Sequence, residues 1–100
     1  MYVKGKYLWY GDDLSEAYEI RKKVFNEEQQ ISEEVLFDEL DKVSVHAIVY
    51  DENEKPVASG RIARDEEEYR IGKIAVLPEA RGKKLGDFLV RMLSLIHISE

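Results

Sequence analysis

The spacing of the apolar residues changes from that of a strand to that of a helix near the C-terminal end of the chain. An apolar run over residues 71–77 predicts a buried strand, because β-branched residues dominate it and Pro78 ends it. From Leu85 onward the spacing is helical, and one face of the predicted helix carries Leu85, Phe88, Leu89 and Met92. A strand is therefore followed by a short turn and then by a helix.

The N-terminal part of the chain predicts a strand and an amphipathic helix. The strand covers residues 2–10 and, because lysines alternate along it, is expected near the edge of a sheet. Asp13 is expected to cap the helix that follows, with Glu16 completing a capping box. The helix would pack on a sheet through the stripe Leu14, Ala17, Tyr18, Arg21, Val24 and Phe25.

The middle of the chain predicts a second helix and a hairpin. Ser32 is expected to cap a short helix that runs through Leu36 and Leu40. Residues 45–50 and 57–63 are expected to form two strands joined by a polar turn. The predicted order is β-α-α-β-β-β-α, which indicates an α/β (α+β) fold with a mixed, mostly antiparallel sheet.

Composition limits the classes of function. One hundred residues are enough for a single small domain, and a net charge of −6 argues against nucleic acid as a partner. No apolar run approaches the length that crosses a membrane, so no membrane partner is expected. The absence of cysteine excludes disulfides and thiolate metal sites, and two distant histidines predict no metal site. A cytoplasmic location is the expectation.

The turn that precedes the C-terminal helix has the chemistry of an anion site. Backbone N–H groups at a helix N-terminus point outward, and the helix dipole adds partial positive charge there. Arg81, Lys83 and Lys84 add full charges. Neither common nucleotide loop is present, since the sequence contains no G-x-x-x-x-G-K-[ST] and no G-x-G-x-x-G.

The order V-L-P-x-x-R-G-x-x-x-G in this stretch resembles the GNAT superfamily of acyl-CoA-dependent N-acyltransferases. The signature of that family, [RQ]-x-x-G-x-[GA], lies between a strand and a helix. Arg81 fits its first position and Gly86 its last, whereas Lys84 stands where the first glycine belongs. The resemblance implies an acyl-CoA site at this turn.

A second element strengthens the resemblance and extends it over residues 7–92. The run I-R-x-x-V-F-x-x-E-Q contains Arg21 and ends at Gln29. Asp38, Asp41 and His46 follow it at the spacing seen in a branch of small GNAT proteins. The fold implied is the first two-thirds of a GNAT domain.

The resemblance implies transfer of an acetyl group from acetyl-CoA, as co-substrate, to a primary amine. The pantetheine arm of CoA would pair with the backbone of one strand segment, and a backbone N–H near Val76 would polarise the thioester. The pyrophosphate would bind the turn. The implied CoA-binding residues are Ile74, Ala75, Val76, Arg81, Gly82, Lys83, Lys84, Leu85 and Gly86.

Catalytic residues are less clearly indicated. Seven acids lie between Glu27 and Asp41 with no lysine among them, and could attract a cationic amine or take its proton. A charge run is more often a solvated face, and a lone histidine is more often packed. An aromatic cluster of Tyr2, Tyr7, Trp9 and Tyr10 is expected to serve strand packing. The candidates for catalysis are Glu34, Asp38, Asp41 and His46.

The domain is expected to be incomplete. Residues 1–92 form the partial GNAT domain, and Leu93–Glu100 resembles the translated end of a sequencing-library adapter. The fragment by itself is therefore expected to be inactive. The alternative to an enzyme is a non-enzymatic acyl-CoA-binding or interaction module, or an inactive fragment of such an enzyme. The expected partners are a small-molecule or peptide amine acceptor, with a homodimer left open.

Overall fold

The computed structural model describes residues 3–98, which form one four-stranded antiparallel sheet with helices on both faces. The strands follow chain order across the sheet, so the N-terminal strand lies at one edge, as predicted. The α/β fold class is confirmed. The strands are β1 (Lys4–Leu8), β2 (Val45–Tyr50), β3 (Pro56–Asp65) and β4 (Glu68–Val76).

Two helices cover the sheet. Helix α1 (Ser15–Arg21) continues without a break as a π-helix over Lys22–Glu28, and helix α2 (Leu85–Ile98) follows β4. The hydroxyl of Tyr7 on β1 donates to the carbonyl of Met92 on α2 at 2.6 Å. Because side chains alternate along a strand, the next residue, Leu8, points to the opposite face, where it is buried in the core.

The start of α1 differs from the predicted capping box. The carboxylate of Asp13 accepts a bond from the N–H of Ser15, which agrees with its expected place before the helix. Glu16 instead accepts a hydrogen bond from the hydroxyl of Tyr50 on β2. Burial, followed by this hydrogen bond, raises the pKa of Tyr50 to about 12. The capping box was wrong because a tertiary partner holds Glu16.

The second helix is not an α-helix. Its place is taken by two short 3-10 helices, Glu33–Val35 and Glu39–Val43. Ser32 caps the first of them, as predicted. Asp38 is extended and its carboxylate accepts the N–H of Leu40, so this local bond replaces the helical backbone at that position.

The apolar stripe of α2 is confirmed. Leu85, Leu89 and Met92 are buried, and so is Leu93, which lies past the predicted end of the domain. The helix continues to Ile98, while residues 99–100 lie outside the described part of the chain. The boundary at residue 92 and the origin of the tail stay predictions.

The N-terminal aromatic cluster is only partly packed. The rings of Tyr7 and Trp9 are in contact, with their centroids 5.8 Å apart. Trp9 is 51% exposed and Tyr10 is 81% exposed, while Tyr2 lies outside the described residues. The expected packing role therefore holds for Tyr7.

Candidate functional site

The turn between β4 and α2 has a backbone that suits an anion. After the 3-10 helix Pro78–Ala80 it contains two left-handed residues, Gly82 at φ 81° and Lys84 at φ 60°. The N–H of Phe88 donates to the carbonyl of Lys84 at 3.1 Å as α2 begins. The amides that precede Phe88 therefore have no acceptor within the helix, and they lie at the positive end of its dipole.

Lys84 adopts the backbone that a glycine at its position would favour. A left-handed conformation costs a residue with a Cβ about 1 kcal/mol. Gly86, in contrast, has room for a Cβ without a clash, since the nearest neighbour of that Cβ, Ile74 Cγ2, would lie at an ordinary contact distance of 3.9 Å. Lys84 thus departs from the family signature in its side chain, while its backbone keeps a conformation that glycine would favour.

The side chain of Arg81 is already engaged. Its Nε donates to the carbonyl of Val76 at 3.0 Å, and its two terminal nitrogens contact the carboxylate of Glu28, with Nη1 at 2.7 Å. The hydrogen bonds of this pair raise the pKa of Arg81 and lower the pKa of Glu28. The backbone N–H of Arg81 is engaged as well, since it donates to the carbonyl of Pro78 at 3.3 Å, so the positive charges left at the turn are those of Lys83 and Lys84.

Strand β4 has one unpaired edge and a bulge. It pairs with β3 on one side, and the other side has no neighbouring strand among residues 3–98. Ser59 pairs with Ala75 and Arg61 pairs with Gly72, so the single residue between them on β3 faces both Lys73 and Ile74. This is a β-bulge, and Lys73 has the left-handed φ of 54° that such a site often needs.

The bulge reverses which side chains of β4 face α2. Ile71 pairs with Ile62 and Val76 pairs with Ala58, two residues that lie on the same face of β3. Ile71, before the bulge, and Val76, after it, therefore point to the same face of the sheet, although simple alternation would place them on opposite faces. The predicted strand was correct, but its register could not be read from a simple alternation.

The bulge also connects the sheet to the acidic segment. The ammonium group of Lys73 donates to the carbonyl of Val35 at 2.9 Å. Burial, followed by the charge of Arg61, lowers the pKa of Lys73. Sequence analysis missed this residue, although a lysine inside an apolar strand was a usable signal.

Two of the four catalytic candidates are held by arginines. Asp41 is 1% exposed, and its Oδ1 contacts both Arg21 Nη1 and Arg61 Nη1 at 2.9 Å. Asp38 accepts two bonds from Arg61, at 2.6 and 3.1 Å, and this pairing lowers the pKa of Asp38. These two carboxylates are bound structurally and do not form the acidic wall that was expected to attract a cation.

His46 belongs to the same buried network. It is 1% exposed, its Nε2 lies 2.9 Å from the carbonyl of Asp41, and its Nδ1 lies 3.3 Å from Arg21 Nη2. A guanidinium only donates and a carbonyl only accepts, so the neutral Nε2–H tautomer satisfies both contacts. Burial lowers the pKa of His46. The candidate base therefore has no ring nitrogen available to a substrate.

Glu34 is the candidate that stays available. It is exposed, and within the described residues it forms no ion pair with an arginine or lysine. Its neighbour Val35 contacts Lys73, so the Glu34 backbone lies beside the bulge of β4. Of the four candidates, Glu34 is thus the exposed carboxylate that no arginine or lysine of the described residues holds.

Other classes of site find no support in residues 3–98. None of the helices described there has the length and apolar character needed to cross a membrane. Within the same range, no three side chains of the histidine, cysteine, aspartate or glutamate type converge as a group that could hold a metal ion.

Comparison with protein families gives a match over most of the chain. The model of the Acetyltransferase (GNAT) family matches residues 13–94. The Bacillus subtilis protein YjcF, described as an uncharacterized N-acetyltransferase, is 34% identical over 82 residues. YyaT, an uncharacterized protein of the same organism, is 39% identical over 87 residues. These alignments cover 82% and 84% of this chain but only 58% of each relative.

Solved structures agree with the sequence relatives. The fold superposes on a putative N-acetyltransferase from Lactobacillus plantarum with a TM-score of 0.77 and 26% identity, covering 90% of this chain and 63% of that one. An acyl-CoA N-acyltransferase from Pseudomonas aeruginosa gives the same TM-score at 24% identity, covering 91% and 67%. The chain therefore spans about three-fifths of the relatives and structures that it most resembles.

Proposed function

The chain belongs to the Acetyltransferase (GNAT) family, and we propose that it forms the acyl-CoA site of an enzyme that transfers an acetyl group from acetyl-CoA to a primary amine. One observation carries the proposal. A turn with two left-handed residues and unpaired helix amides directly follows a strand whose outer edge is unpaired within residues 3–98. The turn suits the phosphate end of a long ligand, and the strand edge suits the extended arm that continues from it.

The turn and the strand edge would bind different parts of acetyl-CoA. Amides of residues 82–86 would donate to the pyrophosphate, with Lys83 and Lys84 adding charge. The backbone of Ile74, Ala75 and Val76 would pair with the amides of the pantetheine arm as an added strand. Gly86 carries no side chain at the start of α2, and a Cβ there would lie 3.9 Å from Ile74 Cγ2, so the ligand would approach the backbone closely.

The chain would contribute to the chemistry mainly by positioning. Acetyl-CoA supplies the activated acyl group, and a backbone N–H near Val76 would donate to the carbonyl oxygen as negative charge develops there. The amine nitrogen forms the new bond to the acyl carbon, the carbon–sulfur bond breaks, and the proton lost by the amine balances the proton gained by the thiolate. Holding the two reactants together supplies much of the rate.

Glu34 is our candidate for the group that accepts the proton of the amine. Asp38, Asp41 and His46 are held in a hydrogen-bonded network, whereas Glu34 is exposed beside the strand edge. Replacing Glu34 with glutamine, which cannot accept a proton, would lower kcat and would leave the affinity for acetyl-CoA unchanged. Equal activity of the variant would remove Glu34 from the mechanism.

A second function is favoured by the state of two signature residues. The side chain of Arg81 is held by Glu28, and Lys84 replaces a glycine at a left-handed position. Lys84 departs from the family signature at this turn, and such a departure suits a module that binds acyl-CoA without turnover. This alternative predicts binding of acetyl-CoA with no release of free thiol.

Two measurements separate these functions. Calorimetric titration with acetyl-CoA tests binding, and a thiol-release assay with a panel of primary amines tests transfer. Amine-dependent release supports the enzyme, whereas binding without release supports the module. Absence of binding to the chain and to a longer form that includes the remaining part of the domain would contradict both.

A further inference from the structure

The bulge of β4 opens into a cleft of about 340 Å³. The sequence alone did not predict this cleft. It lies between β4, β3 and the 3-10 helix Glu39–Val43, and its lining includes Leu40, Gly72 and Lys73. This cleft is where an acceptor would meet the acyl group. Lys73 directly precedes the segment 74–76 proposed to hold the pantetheine arm. The three steps along the strand from Val76 to Lys73 cover about 10 Å.

The charges around the cleft have one sign. Arg61, Arg70 and Lys73 line it, and none of its lining residues is acidic. Arg61 is neutralised by Asp38 and Asp41, and Arg70 contacts Glu68 at 3.4 Å. Lys73, in contrast, has no carboxylate within ion-pair distance among the described residues and is held by the carbonyl of Val35.

A half-buried ammonium group that has no carboxylate partner is stabilised when a bound ligand brings an anionic group to it. Burial, followed by the charge of Arg61, disfavours the charged form of Lys73 more than the charges of Asp38 and Asp41 favour it, so its pKa is lowered. A ligand anion that contacts Lys73 would reverse this effect and form a charge-assisted hydrogen bond. A second cation placed there, such as an unsubstituted alkyl ammonium, would be repelled.

We propose that the cleft selects an acceptor that carries an anionic group, a carboxylate or a phosphate, together with its amine, and that Lys73 binds this group. The inference rests on the proposed acetyl transfer and names its substrate class. It also reverses the expectation that the acids of the 27–41 segment recognise a cationic acceptor. Two of those acids, Asp41 and Asp38, are paired with Arg21 and Arg61, and the charge at the bulge that lacks a carboxylate partner is that of Lys73.

The test uses two matched pairs of probes and the isotope-labelled chain at low salt. O-phosphoethanolamine is compared with ethanolamine, and β-alanine with β-alaninamide, by NMR titration. We expect saturable shifts of the Gly72 and Lys73 amides with the anionic member of at least one pair, and these shifts weaken as salt is added. The pair that responds distinguishes phosphate from carboxylate. Equal responses to the members with and without the anionic group would overturn the proposal.

Variants assign the effect to one side chain. Lys73→Gln keeps a Cβ at the left-handed position, so the backbone strain stays the same. This variant should lower the anion affinity on the order of ten-fold. Lys73→Arg retains the charge and should retain the binding. Lys6→Gln removes an exposed lysine of β1 and should bind as the wild type does. Wild-type affinity in Lys73→Gln would contradict the assignment.

A parallel titration with acetyl-CoA keeps the two proposals distinguishable. It is followed at the amides of Gly82 and Gly86, which lie in the turn and not in the cleft. Shifts in the turn with no anion response at Gly72 and Lys73 would sustain the acyl-CoA site and refute the substrate class. An anion response at the cleft with no shift in the turn would refute the proposed function.

Discussion

Arg81 and Glu28, 53 residues apart in the chain, hold each other through both oxygens of the carboxylate. Arg81 opens the signature of the turn, and Glu28 belongs to the I-R-x-x-V-F-x-x-E-Q element at the end of the first helical segment. Arg81 also donates to the carbonyl of Val76. One side chain thus fixes the turn to both the helical layer and the edge strand, so these two sequence elements are coupled in space.

Replacing Glu28 with glutamine should reduce the affinity for acetyl-CoA several-fold while changing the unfolding midpoint little. The pair is exposed, so its contribution to global stability is small, but it holds the turn in place. Titration calorimetry of the variant checks this. Glu27→Gln removes a neighbouring exposed carboxylate and is the control. Tighter binding in Glu28→Gln would show instead that the released Arg81 contacts the phosphates itself.

Replacing Asp41 with asparagine should lower the free energy of unfolding by about 3 kcal/mol, because Arg21 and Arg61 would both lose a buried counter-charge. Urea denaturation measures the change. Glu39→Gln, in the same 3-10 helix, breaks only a surface pair with Lys42 and should change the free energy by at most about 0.5 kcal/mol. Similar losses in both variants would contradict the buried network.

The stability of the fold should fall as the pH drops below about 6.5. Burial lowers the pKa of His46 in the folded state, so the unfolded chain binds a proton first. Stability from this group is therefore complete above the unfolded pKa and is lost as the pH falls toward the folded value, by at most about 1.4 kcal/mol per pH unit. The charges of Arg21 and Arg61 add to the lowering that burial causes, whereas Asp41 opposes it.

Replacing His46 with glutamine supplies the check on that pH dependence. Glutamine cannot take up a proton, so the slope of unfolding free energy between pH 7 and pH 5 should decrease relative to the wild type. Urea denaturation at four pH values measures the slope. An unchanged slope would assign the pH dependence to other groups.

Replacing Lys84 with glycine should stabilise the fold by about 0.5 to 1 kcal/mol, because the residue has φ 60° and glycine adopts that conformation without strain. The affinity for acetyl-CoA should be equal or tighter. Lys83→Gly is the matched control, since it removes the same charge at a residue without a positive φ. A large loss of affinity in Lys84→Gly alone would show that its charge outweighs the backbone.

Much of the fold could be predicted from the sequence, because local patterns determine it. The strand at residues 45–50, the edge position of β1 and the stripe of α2 follow from alternation, lysine content and helical spacing. The second helix was wrong because Asp38 and Ser32 make local bonds that compete with an α-helix. The capping box was wrong because Glu16 found a partner on the sheet.

The candidate site could be predicted only where its chemistry is contiguous in sequence. The turn at residues 81–86 is one local unit, so its place between strand and helix was readable. The burial of Asp41 and the partners of His46 could not be predicted, because Arg21 and Arg61 come from other elements. A count of charges within one segment cannot include a counter-charge supplied by a distant strand. An arginine inside the apolar run of β3 was the available signal.

The central claim is that the turn and the edge of β4 bind acetyl-CoA together. An NMR titration of the labelled chain with acetyl-CoA tests it most directly, with Gly86→Glu as the variant. The account predicts coincident, saturable shifts of the amides of residues 82–86 and 74–76, all lost in Gly86→Glu because its charge and bulk oppose the pyrophosphate. Shifts confined to other parts of the chain, or unchanged shifts in a folded Gly86→Glu variant, would contradict it.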